Sequence, residues 1–161
     1  MNKFAKPLVF LFALIAIGLL CVGLYLQLKL EMLPCPLCIL QRYAFALTAL
    51  LCLITVVLPT QYLRAGSAVA SLTSFVGAGI AIRHLWVKAH PTISCGIDTL
   101  EVFLNKIVFA NWLPVLFQAD GLCTTEYDPI LGLSIPAWAL IWFTLFATGL
   151  ALIALRFRRP A

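Results

Sequence analysis

The chain has 161 residues, of which 63% are hydrophobic and 11% charged, and it carries a net charge of +5. A soluble domain is about half apolar and about a quarter charged, so composition alone makes this an integral membrane protein. The positive balance does not point to nucleic acid. The basic residues form no patch interleaved with aromatics; they stand at the ends of apolar segments, as they do in membrane proteins.

Four segments reach the roughly 20 apolar residues needed to cross a hydrocarbon core about 30 Å thick: about Leu8–Leu28, Ile39–Leu58, Ser67–Val87 and Pro136–Leu155. The first follows Lys3 and Lys6. It is too long for the apolar region of a secretory signal, and no Ala-x-Ala site follows it. Gly18-Leu19-Leu20-Cys21 is a poor lipoprotein cleavage site because the large Leu20 precedes the cysteine. The segment is therefore expected to remain as a first helix. The second span ends at Pro59. The third contains Gly77 and Gly79, small residues that permit close helix contact. The fourth opens on Pro136, which suits a first helical turn. The expected fold is an all-α membrane protein, a four-transmembrane-helix bundle forming one integral membrane domain over residues 1–161.

Charge sets the orientation. Lys3, Lys6, Arg64, Arg156, Arg158 and Arg159 fall on one side. All the acidic residues, Glu31, Asp98, Glu101, Asp120, Glu126 and Asp128, fall on the other. The basic side is expected to be cytoplasmic, with both termini inside and two outer loops at about 29–38 and 88–135. In a bacterium the outer side of the inner membrane is the periplasm, where disulfides persist. Within the long outer loop, Thr99–Ala110 mixes apolar residues with Glu101, Asn105 and Lys106, which predicts a short amphipathic helix in the membrane interface. Trp112 extends that character.

Six cysteines divide by topology. Cys21 and Cys52 fall inside spans and are expected to be inert packing residues. Cys35, Cys38, Cys95 and Cys123 all lie on the outer side, two in each loop. Cys35-Pro36-Leu37-Cys38 is a Cys-x-x-Cys motif. Haem attachment would need His after the second cysteine, where Ile39 stands. Zinc would need two further ligands, for which Cys95 and Cys123 are available but not spaced as a knuckle. A static disulfide at Cys95 and Cys123 would constrain the unfolded chain by about 3–4 kcal/mol. A four-residue loop at Cys35–Cys38 offers little entropic gain, which favours redox use.

The start of the second span suits thiol chemistry. Unsatisfied amides and the helix dipole favour a thiolate near Cys38. Arg42 lies four residues on, on the same face, where a guanidinium favours the thiolate and can hydrogen-bond a carbonyl that gains charge on reduction. The alternative is that Arg42 snorkels to headgroups. The third span ends in Arg83-His84-Leu85-Trp86. His84 can hydrogen-bond a carbonyl or relay a proton, while Arg83 and Trp86 suit the interface.

Over nearly its whole length the chain resembles the DsbB family of bacterial disulfide-forming membrane proteins. The resemblance rests on four spans, Cys35-Pro36-Leu37-Cys38 followed by Gln41-Arg42, the Cys95/Cys123 pair, and Leu131-Gly132-Leu133-Ser134-Ile135-Pro136-Ala137-Trp138 leading into the last span. It implies a quinone-dependent thiol oxidoreductase of the inner membrane that reoxidises a soluble periplasmic DsbA-like oxidase. It further implies that Cys95 forms the mixed disulfide with that partner, that Cys35 exchanges with Cys123, and that Cys38 faces the quinone, ubiquinone or menaquinone. Arg42 and His84 match quinone-side residues, and Ile135 and Trp138 border the same pocket. A DsbI-like oxidase with a dedicated partner is a variant of this reading. A reductase resembling the vitamin K epoxide reductase family fits the cysteine order less well. The contrasting class is a non-enzymatic membrane scaffold whose disulfides only brace the outer loops.

Overall fold

The computed structural model describes residues 4–90, 100–123, 125 and 127–156. Lys3, Cys95, Asp98, Thr99, Glu126, Arg158 and Arg159, singled out above, lie outside that set. Among the described residues, four helices are long and apolar enough to cross a membrane. They are α1 (Ala5–Leu30), α2 (Pro36–Val57), α3 (Leu63–Ala89) and α7 (Ile135–Arg156). All four segments expected from hydropathy are present, and each helix begins ahead of its apolar stretch.

The shift matters most at α2, which starts at Pro36 rather than Ile39. Proline has no amide to lose at the first helical position, and its fixed φ suits that place. Cys35 is the cap, in extended conformation, and its Sγ accepts the backbone N–H of Cys38 at 3.4 Å. The redox motif is therefore the first turn of the helix and not a loop in front of it. At the other end, Leu58 is extended ahead of Pro59, as residues before proline are. A 3-10 turn over Thr60–Tyr62 then leads into α3.

α3 packs against both α2 and α7, while α1 packs chiefly on α2. Phe45 of α2 stacks on Phe143 of α7, with centroids 3.9 Å apart and planes 13° apart. That stack needs α3 to come close. A Cβ on Gly77 would fall onto the Phe143 ring, whereas Gly79 faces open space. Of the two glycines expected to mediate close contact, only Gly77 does so. Lipid offers no hydrophobic drive between helices, so packing and interhelical hydrogen bonds carry the association. Ser71 Oγ donates to the Ala147 carbonyl at 2.7 Å, and the Thr48 and Ser74 hydroxyls meet at 3.3 Å.

The remote end of the bundle is tied by Lys6. Its ammonium donates to the carbonyls of Val56 and Leu58 at 2.9 and 2.7 Å, filling acceptors that the end of α2 leaves open. Cys52 is fully buried, as expected of a packing residue, but Cys21 is exposed. Val9, Ala13 and Ala16 are the fully buried residues of α1, with Phe12, Ile15, Leu19 and Leu20 packed partly against the core, and Cys21 faces outward from the bundle.

The outer loop does not form the single helix expected over Thr99–Ala110. Instead three short helices follow one another: α4 (Val102–Asn105), α5 (Val108–Trp112) and α6 (Pro114–Phe117). Ile107 is extended between the first two. Leu113 leaves helical geometry just before Pro114, which opens the third. The amphipathic character survives these breaks. Leu104, Ala110 and Phe117 point inward, while Phe103, Phe109 and Trp112 are exposed.

Candidate functional site

Cys35 and Cys38 both carry free thiols, and their sulfurs are 3.1 Å apart, with Cys35 donating to Cys38. The hydrogen bond to Cys38, followed by burial and the nearby Cys38 charge, holds the Cys35 thiol well above the ordinary thiol range. Within the pair Cys35 is the donor and Cys38 the acceptor. Cys38 also sits in the first turn of α2, where the helix dipole favours negative charge.

His84 reaches this pair from α3. It is buried, with Nε2 3.7 Å from Cys35 Sγ and Nδ1 4.0 Å from Cys38 Sγ. Its place on α3 therefore brings it to the thiols themselves.

The outer loop covers Cys35 through backbone contacts. The amides of Asp120 and Gly121 both donate to the Pro34 carbonyl at 3.1 Å. Asn105 clamps Ala119 from both sides, donating to its carbonyl at 3.1 Å and accepting its amide at 2.9 Å. Tyr127 donates its hydroxyl to the Leu33 carbonyl at 3.3 Å. Desolvation pushes that phenol above its ordinary range, so it remains a donor. These ties carry Cys123 onto the motif. Cys123 is buried and disulfide-bonded, and its Sγ, Cys35 Sγ and a ring nitrogen of His84 all lie within 4.8 Å of one another. Three potential metal ligands therefore converge, but a disulfide sulfur offers no thiolate charge, so the set as it stands is not a zinc site. Cys95 lies outside the described residues.

Arg42 points to the opposite wall. Its guanidinium donates to Gln27 Oε1 at 2.7 Å, to the Leu116 carbonyl at 2.9 Å and to the Gly23 carbonyl at 3.2 Å. These bonds tie α2 to α1 and to α6. All three acceptors are neutral, so none of them cancels its charge. Between the two walls is a cavity of about 130 Å³, reached by Cys35, Cys38, Arg42, His84 and Ile135 and otherwise largely apolar. Trp138, expected at the same pocket, does not line it. Its indole N–H donates instead to the Ile130 carbonyl at 2.8 Å, locking the turn before α7.

Three residues at the site carried roles that sequence reasoning did not assign. Gln41 is buried, with Nε2 3.3 Å from His84 Nδ1. Gln27 accepts from Arg42, and Gly121 lets the loop backbone reach Pro34. A glutamine inside an apolar span is a usable signal, since polar groups there are costly. Gly121 had no such signal, because its importance lies in a contact 87 residues away along the chain, at Pro34.

A multi-pass membrane bundle holding a free dithiol at a helix start, against the disulfide of a covering loop, defines a membrane thiol–disulfide oxidoreductase. Comparison with known proteins narrows the class. The family model described as "Disulfide bond formation protein DsbB" matches residues 5–153. The chain is 56% identical over 154 residues to Disulfide bond formation protein B of Herminiimonas arsenicoxydans, covering 96% of this chain and 98% of that one. It is 43% identical over 148 residues to Disulfide bond formation protein B 2 of Burkholderia lata, covering 85% and 84% of the two chains. It is 40% identical over 152 residues to Disulfide bond formation protein B 1 of Pseudomonas syringae pv. syringae, covering 91% and 90%. The chain belongs to the DsbB family and is a disulfide-generating oxidoreductase of the membrane.

Proposed function

We propose that this chain reoxidises a soluble periplasmic DsbA-like dithiol and passes the electrons through Cys95–Cys123 and then Cys35–Cys38 to a membrane quinone. One observation carries the reading: the free Cys35 sulfur lies within 4.8 Å of the disulfide-bonded Cys123 sulfur. Exchange between two pairs needs a sulfur of one within reach of a sulfur of the other. The scaffold alternative has no use for a free dithiol beside a disulfide.

Each residue then has a task. Cys95 takes the partner's reactive sulfur, and Cys123, released as a thiolate, attacks Cys35 of the oxidised inner pair. Cys38 leaves with the electron pair, supported by the helix start. The partner's second thiol then attacks the partner sulfur bonded to Cys95, closing the partner's own disulfide and freeing Cys95 as a thiolate, and attack of Cys95 on Cys123 restores the outer disulfide and releases Cys35. Four further observations support a quinone site beside Cys38. The cavity is largely apolar, it is on the scale of the ~150 Å³ that admits a benzene ring, and Arg42 reaches into it with hydrogen-bond donors while His84 lines it beside the thiols. Its lining also includes Leu19 and Leu26 of α1 and Ile135 at the start of α7, apolar side chains suited to a lipid-soluble ring. A bound quinone supplies the two-electron acceptor. Arg42 would hydrogen-bond a carbonyl of the bound quinone, His84 would stand at the side of the site next to the thiols, and the apolar walls would exclude water.

The orientation rests on charge. Lys6 and Arg156 lie at the end of the bundle away from Cys35, so that end and both termini are cytoplasmic in an inner membrane. The test uses purified protein with reduced DsbA-like partner and ubiquinone or menaquinone. Wild type should reduce quinone, and Cys38→Ser should stop it while still forming a mixed disulfide with the partner. Quinone reduction at the normal rate by Cys38→Ser would exclude this electron path.

A further inference from the structure

Gln41 is one turn beyond Cys38 in α2, directly before Arg42, and is 4% exposed. An amide taken from water without a partner is expensive, and its hydrogen bond runs to the imidazole of His84. The amide is placed with its Nε2 toward the ring. Nε2 of the amide can only donate, so His84 Nδ1, 3.3 Å away, accepts. A neutral imidazole that accepts at Nδ1 carries its proton on Nε2. Nε2 is the nitrogen that faces Cys35 Sγ, at 3.7 Å.

The consequence falls on one sulfur. Cys35 Sγ has the Cys38 amide as one donor at 3.4 Å, and the His84 N–H becomes a second. We propose that Gln41 is a positioning residue that holds His84 as the Nε2–H tautomer, so that the imidazole donates to Cys35 and favours its departure from a Cys35–Cys123 disulfide. This rests on the exchange route above. In that step a thiolate, Cys95, attacks Cys123. A new S–S bond forms at Cys123, the Cys123–Cys35 bond breaks, and the electron pair stays on Cys35. No external oxidant is consumed. Thiolate leaving groups depart faster the better their charge is stabilised. A donor on Cys35 therefore speeds resolution, whereas an imidazole of the opposite tautomer would present a lone pair to the same sulfur.

The chain has only two histidines, His84 and His90, which permits a direct reading. Full-length protein labelled with 15N-histidine and held in lipid nanodiscs should show His84 protonated at Nε2 and bare at Nδ1, with His90→Gln assigning the signals. Gln41→Leu removes the donor at little cost to an apolar span and should give a mixture of tautomers. Gln41→Glu offers only acceptors and should move the proton to Nδ1. Both variants should resolve a trapped Cys35–Cys123 disulfide about tenfold more slowly than wild type. Wild-type His84 protonated at Nδ1, an unchanged tautomer in Gln41→Leu, or unaltered resolution in both variants overturns the proposal. The tautomer is read without partner or quinone, so a wild type that cannot reduce quinone refutes the proposed function and not this assignment.

Discussion

Gly121→Ala should uncouple the two cysteine pairs while leaving each intact. A Cβ at this position would drive into the backbone carbonyl of Leu33, and it would also lie 2.8 Å from the Leu33 carbonyl carbon and 3.1 Å from that of Pro34. These are backbone atoms, so no side chain can swing aside, and the loop must lift. Lifting breaks the two bonds from Asp120 and Gly121 to the Pro34 carbonyl, each worth about 1 kcal/mol net. At about 1.4 kcal/mol per tenfold, a loss of about 2 kcal/mol lowers the equilibrium for docking Cys123 against Cys35 by about thirtyfold. Formation of the Cys35–Cys123 disulfide should slow accordingly. The measurement starts from oxidised protein, adds limiting dithiol, quenches by alkylation at intervals, and maps cysteine linkages by mass spectrometry. Formation of Cys35–Cys38 by direct oxidant serves as the control and should be unaffected. Normal Cys35–Cys123 kinetics in Gly121→Ala would show that the Pro34 contact does not place Cys123.

Three other outcomes are expected. Arg42→Ala removes three charge-assisted hydrogen bonds, each worth about 1.5–3 kcal/mol. It should weaken quinone use while mixed disulfides with the partner still form, and Arg42→Lys should recover only part of the loss, because an ammonium cannot reproduce the forked geometry; equal KM for quinone in all three proteins would contradict the assignment. The raised Cys35 thiol keeps its proton in the folded state beyond the ordinary thiol value of 9.0, so its contribution to stability is present below that pH and is lost as the pH rises through its folded value. The ultraviolet absorbance of a Cys35 thiolate should therefore be missing at pH 9, and Cys38→Ala, which removes the main cause, should bring its titration back toward the ordinary thiol range. Gly77→Leu should destabilise the bundle by about 1–3 kcal/mol through overpacking on Phe143, as read by unfolding in denaturing detergent, whereas Gly79→Leu should be nearly neutral.

Much of this was legible in one dimension. Four apolar runs, charges sorted by side and two cysteines per outer loop follow from solvation physics, which reads composition and spacing directly. The reach of Arg42 from Cys38 along one helix is likewise local. The helix starts were less legible. Cys35 and Pro36 looked like loop residues until Cys35 took the cap and Pro36 the first turn, a choice set by which amides go unpaired. The break of the outer helix at Ile107 and Leu113 was also hidden, since Leu104, Ala110 and Phe117 seek burial at angles one straight helix cannot supply.

Cys35-Pro36-Leu37-Cys38 illustrates the division. Its spacing and its place at the start of an apolar span were set by the sequence, because residue type and spacing act locally or along one axis. Which sulfur donates and which accepts, that His84 stands against both thiols, and that Cys123 comes within 4.8 Å of Cys35 were decided by tertiary structure. The contacts of His84 and Cys123 join residues dozens of positions apart, and they exist only because α3 packs on α2 and two loop amides find the carbonyl of Pro34.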